Sequence, residues 1–353
     1  MKMRVARTLS FERTVIEEVP VPRLSPGDAL VRVEACGLCG SDASRWYVET
    51  KVPTVLGHEP AGVVLETGAG CRVEPGQRVF FHHHVHCGEC HACRRGAETN
   101  CALFKRSRLD PGGFAELVRV PAENVERDTL LLPDDVSFEA ATFIEPLACC
   151  VRAVDKLPIR PGESVLVIGL GAMGLVNGCL ARLAGAGRVL ASDLSQARRE
   201  RSLAAPWRFD AALDPREPDY AARLRELTEG RGPDHVVVGP STGVALAQAL
   251  SLVAPGGTVV LFSPFSPAQK VELDLHRLYF GELALTASYS CGAKETRRAL
   301  ALIRERKVPV DSLVSHRLPL EGVGEGILRT AAAGDDWLKA VVYPRGVATG
   351  AAE

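Results

Sequence analysis

Fifteen residues, Cys87-Gly-Glu-Cys90-His-Ala-Cys93-Arg-Arg-Gly-Ala-Glu-Thr-Asn-Cys101, carry four thiols. Two consecutive Cys-x-x-Cys steps let one turn present three sulfurs to a point, and a longer step returns the fourth. Four thiolates complete a tetrahedral shell around Zn²⁺ with no open position, so the spacing predicts a closed, structural zinc lobe over 87–101. An iron–sulfur cluster or reduced, metal-free thiols are the competing readings. The chain holds eleven cysteines, an odd number, and seven lie between Cys36 and Cys101. That distribution suits metal ligands and thiols better than a disulfide framework.

Such a lobe could belong to a nucleic-acid-binding zinc ribbon. A net charge of −1 opposes that, because it offers no long-range attraction to a phosphate backbone. No stretch approaches the roughly 20 apolar residues of a membrane span, and residues 1–12 lack the apolar core of a signal peptide. A cytoplasmic protein is the expectation. At 353 residues, 46% of them hydrophobic, the chain has material for two or three domains.

The first part reads as short strands, such as Ala29–Val33 and Gly62–Glu66, broken at Pro26-Gly27, Gly68, Gly70 and Pro75-Gly76. This predicts a β-rich, barrel-like unit. The pattern changes after about Glu145. Continuous apolar strands at Ser164–Ile168, Val189–Ser192, His235–Val238 and Thr258–Phe262 alternate with helical segments, which predicts a doubly wound α/β domain over 150–287. A helix at about 294–306, a strand edge at His316 and a last strand, Leu338–Tyr343, follow; from Ala348 a frayed tail is expected.

Gly169-Leu-Gly171-Ala-Met-Gly174 directly follows an apolar strand and opens a helix. The first glycine permits the turn, the second lets backbone approach a pyrophosphate, and the third allows close helix–strand packing. The helix N-terminus adds free N–H donors. Asp193 ends the next strand, where it can bind both adenosine ribose hydroxyls and repel a 2′-phosphate, so NAD is expected over NADP. Arg198 and Arg199 follow closely; Arg198 can lie along the adenine or meet a phosphate.

Upstream, Cys36-Gly-Leu-Cys39-Gly-Ser41-Asp42 is followed by Gly57-His58-Glu59. A thiolate, an imidazole and a carboxylate make an incomplete shell around Zn²⁺, leaving a place for an alcohol. Glu145 could be a further or exchanging ligand. Hydride leaves a carbinol carbon readily only from an alkoxide, and a Lewis-acidic zinc supplies that ionisation near neutral pH. Ser41 could take the proton, and Asp42 could hold the far nitrogen of His58. Singly, each residue is ordinary: a buried cysteine is usually a small hydrophobe and a histidine usually a core residue.

Together these residues resemble the zinc-containing medium-chain dehydrogenase/reductase family, in its sorbitol (iditol) and threonine dehydrogenase branch. The matching pieces are CGLCGSD, GHEPAG, the four-cysteine lobe, GGFAELVRVP (Gly112 to Pro121), IEPLACC, GLGAMG and SHRLPLE (Ser315 to Glu321), in family order over about residues 2–345. The resemblance implies an α/β protein in which a GroES-like, β-rich catalytic domain (1–149) is interrupted by a Rossmann domain (150–287), with 288–353 returning to the first domain. It implies a catalytic zinc on Cys39, His58 and Glu59, with Glu145 able to enter the shell, besides the structural zinc on Cys87, Cys90, Cys93 and Cys101. NAD contacts would fall on Met173, Asp193, Arg198, the Phe262-Ser263-Pro264 turn and Ala287-Ser288-Tyr289, beside Gly169, Gly171 and Gly174. A homodimer or homotetramer is implied too.

Four departures bear on substrate. Ser44 stands where the family often has a histidine, which shortens the proton relay from Ser41 or reroutes it through water. Arg45 replaces an aromatic residue of polyol dehydrogenases, and Tyr289-Ser290 replace an Arg-Tyr pair. Gly239-Pro-Ser-Thr242 and Ser263-Pro264 replace more glycine-rich turns. Arg45 has a fork suited to a carboxylate or clustered hydroxyls, or is a solvated surface residue. The expected reaction is NAD-dependent oxidation of a secondary alcohol on a sugar alcohol, sugar or cyclitol. A threonine 3-dehydrogenase-like amino-alcohol dehydrogenase is the alternative, and a zinc- and NAD-binding protein without catalysis a remote one.

His82-His83-His84 and His86 are set aside as polar positions continuing the Val79–Phe81 strand and as the zinc lobe's surroundings, not a third metal site. Cys36, Cys71, Cys149, Cys150, Cys179 and Cys291 are expected mostly as apolar filler, with Cys149 or Cys150 able to line the active site. Arg198-Arg199-Glu200-Arg201 is read most simply as a solvated helix face.

Overall fold

The computed structural model describes residues 1–346; the tail expected to fray from Ala348 lies outside the described residues. The chain forms two compact units. One comprises Met1–Ala148 and the chain from Cys291 onward, and the other is Cys149–Ser290. The breaks thus fall after 148 and 290, where the sequence places them after 149 and 287.

The first unit is β-rich. Strands Arg13–Pro20, Lys2–Ser10 and Thr54–Val55 form a three-stranded antiparallel sheet. A second sheet runs Val314–Pro319, Lys339–Tyr343, Ala29–Gly37, Glu59–Thr67, Arg78–Phe81 and Thr129–Leu131, with Leu117–Val120 also on Ala29–Gly37. Its core gathers Val5, Val31, Val33, Val64, Val79, Phe114, Val118, Ile327 and Val342. Residues from both ends of the chain share this core, so the unit closes only when its last strand returns. Val341 and Val342 pair antiparallel with Gly37 and Cys36.

The second unit carries six parallel strands in the order Ala211–Leu213, Arg188–Ser192, Ser164–Ile168, His235–Val238, Thr258–Leu261, Ala284–Ala287. Numbered within the unit this is 3-2-1-4-5-6, the dinucleotide-binding order. The central strands are buried throughout, as their unbroken apolar runs require. Helix Ala172–Leu183 packs on the first strand through glycines: a Cβ at Gly174 would sit 1.9 Å from the Gly169 carbonyl oxygen, and one at Gly178 would sit 2.0 Å from the Phe209 ring. Gly169 has φ +88°, which the turn needs and a side chain disfavours. Gly171 differs, since a Cβ there would meet nothing within 4 Å.

That contrast predicts opposite outcomes for two alanine substitutions. Gly174→Ala drives a carbon into backbone and costs about 1–3 kcal/mol or more, whereas Gly171→Ala stays within about 0.5 kcal/mol. Thermal and urea unfolding of the two variants check this; equal stabilities would refute the packing role of Gly174.

Candidate metal centres and nucleotide site

The four-cysteine lobe is a short excursion: a helical turn His91–Arg94, a 3₁₀ turn Glu98–Asn100 and a helix Ala102–Arg106. Its small core is Val85, Cys93, Cys101, Leu103 and Phe104. The sulfurs of Cys87, Cys90, Cys93 and Cys101 converge, with Cys90–Cys93 at 3.5 Å, Cys87–Cys101 at 3.6 Å and Cys87–Cys93 at 3.9 Å. Corners of a tetrahedron with 2.3 Å zinc–sulfur bonds stand about 3.8 Å apart, so the set fits zinc. Burial works against the Cys101 thiolate, but N–H groups of Cys87, Phe104 and Leu103 outweigh it and hold this thiol at about 6. Such a group is ready to bind metal.

The second set forms where two strands meet. Cys39 follows strand Ala29–Gly37, and His58-Glu59 opens strand Glu59–Thr67. Gly57 turns the chain just before His58 at φ +89°, and a Cβ there would meet the Phe114 nitrogen at 2.8 Å. One ligand atom from each of Cys39, His58 and Glu59 lies within 4.8 Å of the others. His58 Nδ1 is 3.4 Å from Asp42 Oδ1, and the Cys39 N–H donates to Asp42 Oδ2 at 3.4 Å. Asp42 therefore orients the imidazole and leaves its other nitrogen for a metal. Burial works against its charge, yet His58 holds the Asp42 carboxyl below its usual range. Cys36 is wholly buried, and burial pushes its thiol up.

Glu59 is completely buried, and so is nearly all of Lys339, whose Nζ donates to Glu59 Oε1 at 2.7 Å. Oε2 lies 2.5 Å from the same nitrogen but receives no hydrogen bond, so it is a buried acceptor left over. With a thiol, an imidazole and that oxygen assembled, the donor set fits a catalytic zinc. Gly37 pairs opposite Glu59, and a Cβ there would lie 2.0 Å from Oε2. The bare glycine is what lets the carboxylate occupy this place. Burial disfavours the Lys339 ammonium, but Glu59 outweighs it and raises the lysine above its usual value.

Other sequence candidates fall in three places. Ser41 sits in the 3₁₀ turn Gly40–Ala43, beside Asp42. Arg45 is exposed, with its guanidinium paired to Glu12 and Glu49 and 4.4 Å over the Phe11 ring. Its fork is engaged at the surface, which favours the solvated of the two roles expected for it. Glu145 lies in the first turn of helix Ile144–Val154; it groups with His82 and Cys291, and its charge also acts on Glu59 and Lys339 of the catalytic set. The histidine run also departs from expectation: the strand ends at Phe81, and the imidazoles that follow do not alternate as strand residues. His83 packs 4.9 Å from the His58 ring, His84 Nδ1 is 3.0 Å from the Ser107 carbonyl, and His86 Nδ1 is 3.9 Å from Cys93 Sγ. Burial pushes His84 down to about 3.

In the second unit the glycine turn and Asp193 meet. Asp193 Oδ2 accepts from the Leu170 N–H at 2.7 Å and Oδ1 from the Ser195 N–H at 2.8 Å. Open space over Gly171 leaves the N-terminus of helix Ala172–Leu183 approachable by a phosphate. Arg199 is tied to the Asp193 carbonyl at 2.7 Å and to Asp214 at 3.1 Å, while Ser195 caps the helix by accepting from the Arg198 N–H. Met173 lies in the first turn of the helix, and Phe262, Ser263 and Tyr289 follow the carboxyl ends of their strands, where this fold binds ligands. Lys339 escaped the sequence reading, although one charged residue in an otherwise apolar strand was its signal. No helix among the described residues is long and apolar enough to cross a membrane.

Known proteins resemble the chain throughout. Residues 25–133 match the family model of the alcohol dehydrogenase GroES-like domain, and residues 172–305 that of the zinc-binding dehydrogenase. The L-threonine 3-dehydrogenase of Pyrococcus furiosus is 34% identical over 311 residues, 85% of this chain and 86% of that protein. The L-galactonate-5-dehydrogenase of Escherichia coli K12 is 31% identical over 92% of this chain and 94% of its own. A zinc-binding dehydrogenase from Sinorhizobium meliloti 1021, solved with NADP, superposes with a TM-score of 0.86 at 31% identity, over 98% of this chain and 100% of its own.

The Glu59–Lys339 pair yields a stability prediction. Lys339→Met strands a buried carboxylate and costs about 3–5 kcal/mol; adding Glu59→Gln recovers more than half. A double-mutant cycle by urea unfolding of metal-stripped protein measures this, and additive losses would show that the two groups do not depend on each other.

Proposed function

The chain belongs to the zinc-dependent alcohol dehydrogenase family, and from that premise we propose that it oxidises a secondary alcohol of a small polyhydroxylated molecule, a sugar alcohol, sugar or cyclitol, with NAD. The observation that carries this reading is the convergence of Cys39, His58 and Glu59, with Asp42 fixing the imidazole. Bound there, zinc supplies Lewis acidity that lowers the pKa of an alcohol, and the nicotinamide supplies a hydride acceptor. Cys39, His58 and Glu59 would hold the metal, and Lys339 pairs with Glu59 and opposes the upward push that burial gives its carboxyl. Ser41, in the turn beside Asp42, takes the hydroxyl proton and passes it to solvent, because Ser44 stands where a relay histidine would be.

Asp193 argues for NAD. Two N–H groups pin its carboxylate at the end of the second strand, where it binds ribose hydroxyls and repels a 2′-phosphate. Arg199 is already committed to Asp214. The Sinorhizobium relative binds NADP, so the preference is worth measuring directly.

A second reading has specific support: the threonine dehydrogenase relatives favour a β-hydroxy amino acid, and the galactonate enzyme a hydroxylated acid. All share a secondary alcohol next to another polar carbon. Arg45 does not support the carboxylate in these, because Glu12 and Glu49 occupy it.

We also take the protein to be a homodimer or homotetramer. Strand Ala284–Ala287 is an exposed sheet edge, and the helix before it, Leu275–Phe280, exposes Leu275, Tyr279 and Phe280. An unpaired edge flanked by apolar side chains suits a second copy of itself.

The zinc-loaded protein should reduce NAD with a member of a panel of polyols, cyclitols, hydroxy acids, threonine and simple alcohols. Cys39→Ser should abolish turnover while NAD still binds. No turnover with any alcohol would favour the non-catalytic reading. NAD should exceed NADP in kcat/KM by roughly tenfold or more, about 1.4 kcal/mol, and Asp193→Ser should erase the difference; an unchanged ratio would remove Asp193 from cofactor choice. Light scattering should show an oligomer that Tyr279→Arg with Phe280→Arg dissociates; a monomeric parent protein would rule out this assembly.

A further inference from the structure

Beside the glycine turn of the second unit stands another turn, Gly239-Pro240-Ser241-Thr242, at the carboxyl end of strand His235–Val238. Strand Ser164–Ile168 lies between Arg188–Ser192 and His235–Val238. The chain builds outward on one side of Ser164–Ile168 and then returns to the other. A crevice opens past the carboxyl ends of the strands at such a reversal, and it is there that these sheets take a dinucleotide. Asp193 flanks the glycine turn on one side, at the end of Arg188–Ser192, and Pro240 flanks it on the other. With an adenosine ribose on Asp193 and a pyrophosphate on the glycine turn, the nicotinamide half falls to the Pro240 side.

Pro240 closes directly on the glycine turn. The Gly239 N–H donates to the Ile168 carbonyl at 3.0 Å, and a Cβ on Gly169 would meet the Pro240 ring at 3.0 Å. The sheet thus fixes the start of the turn, and Thr242 caps the helix Gly243–Leu252 by accepting from the Ala245 N–H. Between these points the turn is exposed at Ser241 and Thr242.

Gln269, from the segment after strand Thr258–Leu261, spans this stretch. In the orientation that satisfies both of its ends, its side-chain nitrogen donates to the Ser241 carbonyl at 3.0 Å and its oxygen accepts from the Gly243 N–H at 3.1 Å. A single amide therefore ties the two backbone groups that bracket Thr242. The segment carrying it is anchored in turn. Its Phe265 and Val271 pack on the core of the sheet, and a Cβ on Gly243 would come 3.3 Å from a Val271 methyl. The Gln269 backbone N–H donates to the Ser266 carbonyl at 2.9 Å.

We propose that Gln269 is a positioning residue for the dinucleotide: it holds Pro240 against the glycine turn and so sets the affinity for the nicotinamide half of the cofactor. It touches no cofactor atom and acts through the proline. Pre-organising this wall of the crevice spares the cofactor the cost of ordering it on binding. The competing role is packing alone, in which Gln269 steadies its own segment and the cofactor does not sense it.

The test is binding of NADH and of AMP to the full chain, NADPH taking the place of NADH if the parent protein prefers it. AMP carries only the adenosine half, so it reports on the Asp193 side of the crevice. Gln269→Met keeps the length of the side chain and removes both hydrogen bonds. It should weaken NADH relative to AMP by about tenfold, chiefly through faster release, and raise KM for NAD more than it lowers kcat. Pro240→Gly should lower the same affinity ratio, and adding Gln269→Met to it should cost little more, because the amide acts through the ring. Equal losses for NADH and AMP, an unchanged ratio, or additive losses in the double variant would each overturn the proposal and leave Gln269 a packing residue. A parent protein that binds neither NADH nor NADPH would overturn the nucleotide reading on which the proposal rests, and the proposal with it.

Discussion

The first unit depends on closing a sheet with residues from the two ends of the chain, and the Glu59–Lys339 pair sits at that closure. Strand Lys339–Tyr343 lies beside Ala29–Gly37, which lies beside Glu59–Thr67. Lysine and glutamate meet across the intervening strand because Gly37, between them, has no side chain. Neither charge could be buried alone. The final strand therefore completes the sheet and also supplies the ammonium that pairs with the buried carboxylate of the catalytic set. Proper closure of the unit and correct charge in its metal centre are one requirement.

Each cluster of donor side chains is assembled at a different range. The four cysteines come from fifteen consecutive residues, so turns alone suffice and a small local core steadies them. Cys39, His58 and Glu59 need two paired strands. His82, Glu145 and Cys291 need a strand end, a helix start and the segment after the inserted unit. The longer the range, the more the set owes to packing. Three carboxylates serve here in different ways: Asp42 and Asp128 orient imidazoles, while Glu59 is itself a donor.

Legibility in the sequence follows the same gradient. The lobe, the glycine turn with Asp193, and the cysteine–histidine–glutamate pattern could be read because their chemistry is carried by spacing. The histidine run could not. Its residues were expected on alternate faces of a strand, but the strand stops at Phe81 and the ladder no longer dictates direction. Cys291 looked like filler because nothing within 200 residues of it on the chain reveals that its sulfur faces His82. Arg45 invited a substrate role by its chemistry, and only its neighbours Glu12, Glu49 and Phe11 place it at the surface.

By itself, then, the sequence determined the two-unit plan, the doubly wound nucleotide domain, the four-cysteine lobe and the cysteine–histidine–glutamate pattern. These rest on period, glycine placement and short spacings, which act locally. The tertiary structure decided which acid stands with which imidazole, that Lys339 neutralises Glu59, and that Glu145 joins His82 and Cys291. Such pairings depend on where distant segments pack, and on the cost of burying a charge without a partner, which the order of residues along a chain does not display.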